Sequence, residues 1–92
     1  FIGSEGTLGV ITGATLKLYP QPAAVGTAMA AVPTLEAAVQ LLGLARKQLA
    51  AGMTGFEVMN GQSLGLVRAH FPQWPQPLPP GPWTVLLEQS DT

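Results

Sequence analysis

The order of elements in this 92-residue chain predicts an α+β fold, with two helices packed on one face of a mostly antiparallel sheet. Two observations carry the expectation. A single apolar stripe at steps of three and four runs through residues 35–50, opposite a polar one. Around it lie short extended segments bounded by glycine and proline, some alternating with a period of two. The predicted order is β-β-α-β-α-β.

The first strand is expected over residues 10–19. Leu16 and Leu18 share one side and Thr15, Lys17 and Tyr19 the other. Pro20 and Pro22 end it and stiffen a connector, and a domain boundary is placed there. An Ala-rich strand follows at 26–32. A helix spans about 35–50, with Thr34 as N-cap, Glu36 in the first turn, and Arg46 and Lys47 near the end. Its apolar stripe is Leu35, Val39, Leu42, Ala45 and Leu49, and Gly52 is the expected stop. A strand at 54–59 leads to Asn60, which caps a short helix from Gly61 to about His70. Residues 72–82 hold six prolines and read as an extended connector. The last strand covers 83–88.

The most informative segment comes first: Gly3-Ser4-Glu5-Gly6-Thr7-Leu8-Gly9-Val10-Ile11-Thr12. Glycine reaches positive φ and leaves no Cβ in the way of an approaching surface. Such a loop can press its N–H and C=O groups against a flat or anionic ligand. No lysine follows, so it is not a P-loop, and no helix opens here, so it is not a Rossmann turn. A Gly-rich hairpin turn without a ligand is the alternative.

The stretch from Phe1 to Thr12, with Ala14-Thr15-Leu16-Lys17-Leu18 and Pro20-Gln21-Pro22 behind it, resembles the FAD-linked oxidase family of the vanillyl-alcohol oxidase type. The likeness is to its D-lactate, glycolate and D-2-hydroxyglutarate dehydrogenase branch. Gly55-Phe56-Glu57-Val58-Met59-Asn60, Leu66-Val67-Arg68-Ala69-His70 and Trp83-Thr84-Val85-Leu86-Leu87-Glu88 fit the same branch. The resemblance implies a fragment of a flavoenzyme. Residues 1–22 would end its FAD-binding domain, and 23–92 would begin its substrate, or cap, domain. It implies FAD as cofactor, with Gly3, Glu5, Gly6, Thr7, Gly9 and Val10 as the contacting residues. The glycines shape the loop, Thr7 donates its hydroxyl and N–H, Val10 bonds adenine through its backbone, and Glu5 buttresses the loop or touches the ribose. The implied reaction oxidises a D-2-hydroxy acid to the 2-oxo acid. The base, metal ligands and substrate-binding cations would lie outside this segment, so no catalytic or metal-binding residue is assigned within it.

Composition narrows the partners. Charged residues make up 10% and apolar residues 47%, against about 25% charged in ordinary domains. A surface so short of charge expects cover, by the rest of the polypeptide or, for the fragment alone, by a second copy in a homodimer. Net charge is −1, and Lys17, Arg46, Lys47 and Arg68 are scattered, which argues against nucleic acid. Cysteine is absent, compatible with a reducing, cytoplasmic setting or a membrane-peripheral one in the parent. No apolar run reaches the roughly 18 residues of a transmembrane segment.

His70, the sole histidine, reads as a helix-end residue, and Glu57 and Glu88 as strand carboxylates facing solvent or the missing part of the protein. An acid/base pair formed by the two glutamates is the alternative. Trp74 and Trp83 frame the proline loop as anchors. A non-catalytic α+β binding or dimerisation module is the alternative function.

Overall fold

The structure, a computed structural model, describes residues 1–91. Its elements are β1 (Val25–Val32), α1 (Leu35–Leu49), a 3₁₀ turn (Ala50–Gly52), β2 (Met53–Asn60), α2 (Gly61–His70) and β3 (Trp83–Ser90). The sheet order is β1-β3-β2, with β3 central and antiparallel to both neighbours. This is the expected α+β arrangement of two helices and an antiparallel sheet. α1 is the crossover that lets β1 and β2 run parallel on either side of β3.

Residues directly opposite in a ladder share a face. Ala30, Val85 and Val58 therefore line up across the sheet, as do Ala28, Leu87 and Phe56. The other face carries Met29, Leu86 and Glu57, and then Thr27, Glu88 and Gly55. Val85, Ala38 and Ala45 are the buried apolar residues.

The stripe of α1 agrees with the expected one at Leu42, Ala45 and Leu49, which are buried or half-buried, and departs from it in the first half of the helix. Ala38 and Ala45 are buried, while Leu35 and Val39 are 45% and 62% exposed. Small side chains let a helix sit close to its sheet, and the bulkier neighbours are moved to the flank. Thr34 caps the helix as expected, its Oγ1 accepting from the Ala37 N–H at 3.0 Å. The end differs. Ala50 takes a left-handed φ of 49°, and its N–H bonds to the Arg46 carbonyl. Gly52 comes two residues later and lies against the Ser90 carbonyl oxygen, 3.4 Å from where a Cβ would stand.

Residues 10–19 form no strand. The alternation is present: Lys17 Nζ lies 5.4 Å from the Tyr19 ring centroid on one side of the chain. What is missing is a neighbour. No described strand pairs with this arm, and Val10 and Leu18 are 88% and 86% exposed. A strand exists only through its ladder, so periodicity alone cannot make one.

The proline loop is tied at several points. Asn60 Oδ1 accepts from the N–H and the hydroxyl of Ser63, both at 2.8 Å, and starts α2. The Gly61 N–H reaches the Pro82 carbonyl at 2.9 Å, and Arg68 Nη2 donates to the Leu78 carbonyl at 3.0 Å. Phe71 and Trp74 stack with ring centroids 4.1 Å apart. A Cβ on Gly61 would stand 2.6 Å from the Gly81 carbonyl oxygen. Gly→Ala in a helix ordinarily gains about 1 kcal/mol. Here overpacking against backbone outweighs it, and Gly61→Ala should cost about 1–3 kcal/mol in urea unfolding of the chain. A stabilised variant would contradict this packing.

Candidate functional site

Residues 1–7 fold into two consecutive turns. In the first, the N–H and the hydroxyl of Ser4 both donate to the Phe1 carbonyl, at 3.2 and 2.7 Å. Gly3 has a φ of 83° at its third position, the sign pattern of a type II turn. In the second, the N–H and the hydroxyl of Thr7 both donate to the Ser4 carbonyl, at 3.1 and 2.7 Å. Its central residues, Glu5 and Gly6, have φ of 53° and 78°, the pattern of a type I′ turn. Glycine meets this requirement without strain. Glu5 does not, because a Cβ in the left-handed region crowds the following carbonyl.

Beyond the turns the chain passes under the Phe1 ring. A Cβ at Gly9 would stand 2.8 Å from Phe1 Cε1, so this position admits only glycine without movement. The result is a cavity of about 340 Å³ lined by Phe1, Ser4, Gly6, Gly9, Val10 and Ile11. Ligand pockets span about 300–1,000 Å³, so this space lies at the small end of that range.

Of the residues singled out from sequence, Gly6, Gly9 and Val10 line the cavity. Gly3, Glu5 and Thr7 do not line it and instead build the turns. The two Thr7 donors are both engaged on Ser4. Phe1, Ser4 and Ile11 were not singled out, yet they line it too. For Ser4 a signal existed: Ser and Thr three residues apart, each able to close a turn on the backbone three residues back.

The other titratable residues stay apart. His70 Nδ1 lies 2.8 Å from the Leu66 carbonyl, which can only accept, so the ring donates there. His70→Ala should therefore leave catalytic turnover of an intact protein within about twofold. A loss beyond tenfold would make this histidine a functional group. Glu57 and Glu88 share a sheet face at diagonal positions, Glu57 opposite Leu86 and Glu88 opposite Gly55. Both are exposed and neither makes an ion pair or a hydrogen bond to the other. Among the described residues there is no group of three metal-ligating side chains. No described helix is long and apolar enough to cross a membrane.

No family model matches the chain. Curated proteins do. The chain is 37% identical over 90 residues to D-2-hydroxyglutarate dehydrogenase, mitochondrial, of Rattus norvegicus, covering 98% of this chain and 17% of that protein. The Bos taurus protein of the same name is 36% identical over 90 residues, again 98% of this chain and 16% of the relative. Glycolate oxidase subunit GlcD of Bacillus subtilis is 48% identical over 40 residues, 44% of this chain and 8% of that protein. The chain thus spans about a sixth of the length of the D-2-hydroxyglutarate dehydrogenases it matches. The chain belongs to the FAD-linked oxidase family, in its D-lactate, glycolate and D-2-hydroxyglutarate dehydrogenase branch.

Proposed function

We propose that the chain forms one wall of the FAD site and the start of the cap domain in an enzyme that oxidises a D-2-hydroxy acid. The cavity between the double turn and the Phe1 ring carries the reading. Gly9 and Val10 line it, and a Cβ at Gly9 would stand against the Phe1 ring that also lines it. A flat adenine ring suits such a surface. Gly3, Glu5, Gly6, Thr7, Gly9 and Val10 are the residues proposed to hold it. The Val10 backbone meets adenine, Gly6 and Gly9 permit approach, and Gly3, Glu5 and Thr7 set the turns.

FAD held there would supply the two-electron acceptor for oxidation of the 2-hydroxy acid to the 2-oxo acid, the hydroxyl proton passing to a base elsewhere in the protein. This chain supplies neither the base nor a metal ligand in the proposal. It binds the adenosine half, shields it from water, and continues through residues 20–24 into the sheet of the cap. The domain division at residue 22 belongs to the same proposal. So does a cytoplasmic location, although the rat and bovine relatives are named as mitochondrial.

The test uses the intact protein. Under anaerobic conditions the D enantiomer of 2-hydroxyglutarate or lactate, or achiral glycolate, should bleach the visible flavin band, and L enantiomers should not. No bleaching by any 2-hydroxy acid would overturn the reading.

The rest of the polypeptide is the proposed partner of the exposed arm. The 92-residue chain alone keeps that arm and two open sheet edges, β1 and β2. Unpaired edges seek strands, and a two-fold contact lets one surface satisfy itself. The isolated chain should therefore be a homodimer by light scattering. A monomeric mass at millimolar concentration would contradict this.

A further inference from the structure

We propose that Thr7 is a positioning residue of the cofactor loop, whose hydroxyl locks the second of its two turns rather than touches the ligand. The inference rests on the FAD reading above. Each turn is closed twice on one carbonyl, by a backbone N–H and by the hydroxyl of the same residue. Both donors of Thr7 are consumed this way, and Thr7 does not line the cavity. Ser4 is the hinge of the pair: it closes the first turn as donor and offers its carbonyl to the second.

The second lock has a specific burden. Residues 1–3 and 5–9 are exposed, and no hydrogen bond joins residues 1–9 to the sheet or helices. Among the described residues, no hydrogen bond from outside the segment holds Glu5 at its left-handed φ, which a side chain disfavours. The Thr7 hydroxyl adds to the N–H bond that closes the turn around Glu5. Preorganising a loop in its bound shape raises affinity by removing the ordering cost. Loss of the hydroxyl should therefore reach the cofactor indirectly, through the population of the correct turn.

Two readouts separate this role from direct contact. Thr7→Val removes the hydroxyl and keeps the branched shape, and Thr7→Ser restores it. In the 92-residue chain without flavin, the strong intraresidue HN–Hα NOE that positive φ gives Glu5 should weaken in Thr7→Val and persist in Thr7→Ser. In the intact protein, the Kd for FAD should rise about three- to tenfold in Thr7→Val and stay near wild type in Thr7→Ser. A weaker Kd with the turn signal intact would make Thr7 a ligand contact and overturn the proposal. A lost turn signal with unchanged Kd would overturn it as well, while leaving the FAD reading in place if Gly9→Val still loses flavin. Flavin retained at wild-type affinity in Gly9→Val would remove the FAD reading and this inference with it.

Discussion

Gly9→Val in the intact protein should lose most of its flavin. The added Cβ would meet the Phe1 ring at 2.8 Å, and the cavity wall would be displaced or filled. The Phe1 ring is 73% exposed and can swing aside, so the effect comes from the branched side chain standing where the backbone is to meet the ligand, and flavin affinity should fall about tenfold. Gly6→Val should act by another route. Nothing lies within 4 Å of its Cβ position, but its φ is 78°, where a β-branched residue is strongly disfavoured. The turn would open and flavin affinity fall about tenfold. Flavin per protein after gel filtration measures both. The melting temperature of the apoprotein is the control, because the loop makes no hydrogen bond to the αβ body. Normal flavin content in both variants would defeat the loop assignment.

The isolated chain should neither bind FAD at micromolar concentration nor oxidise any 2-hydroxy acid. Ligand pockets enclose about 70–90% of what they bind. Here Phe1, Gly6, Gly9, Val10 and Ile11 are all exposed and form one wall only. His70 is tied to its own helix, and neither Glu57 nor Glu88 lines the cavity. Fluorescence titration of FAD measures the first point and anaerobic bleaching the second. Micromolar binding with a perturbed flavin spectrum would mean that the segment is a more complete site than proposed.

The elements with local signals were legible in the sequence. Thr34 and Asn60 are caps whose oxygens meet the N–H groups three residues on, and they place both helix starts. The prolines of residues 72–82 allow no regular element, and β3 begins after the last of them, Pro82. What failed depended on neighbours absent from a local window. The arm at 10–19 alternates like a strand but has no ladder. The stripe of α1 held at Leu42, Ala45 and Leu49 but not in its first half, where close approach to the sheet selected Ala38 over Leu35 and Val39. Gly52 was the natural helix stop by propensity, yet the left-handed residue is Ala50.

The loop was legible in part. Its glycine spacing announced a close approach, and Gly6 and Gly9 do line the cavity. The division of labour within it was not. Nothing in spacing says that Thr7 spends both donors on Ser4, or that the Phe1 ring closes over Gly9. Those facts arise from turns whose φ values no composition reveals.

The most direct test of the central claim is the structure of the intact protein with its flavin bound. The prediction is an adenine ring against the backbone of Gly9 and Val10, within hydrogen-bond distance of a Val10 main-chain atom. The tandem turns of residues 1–7 should be kept. A flavin whose adenosine half lies elsewhere, with residues 1–11 making no contact to it, would contradict the account.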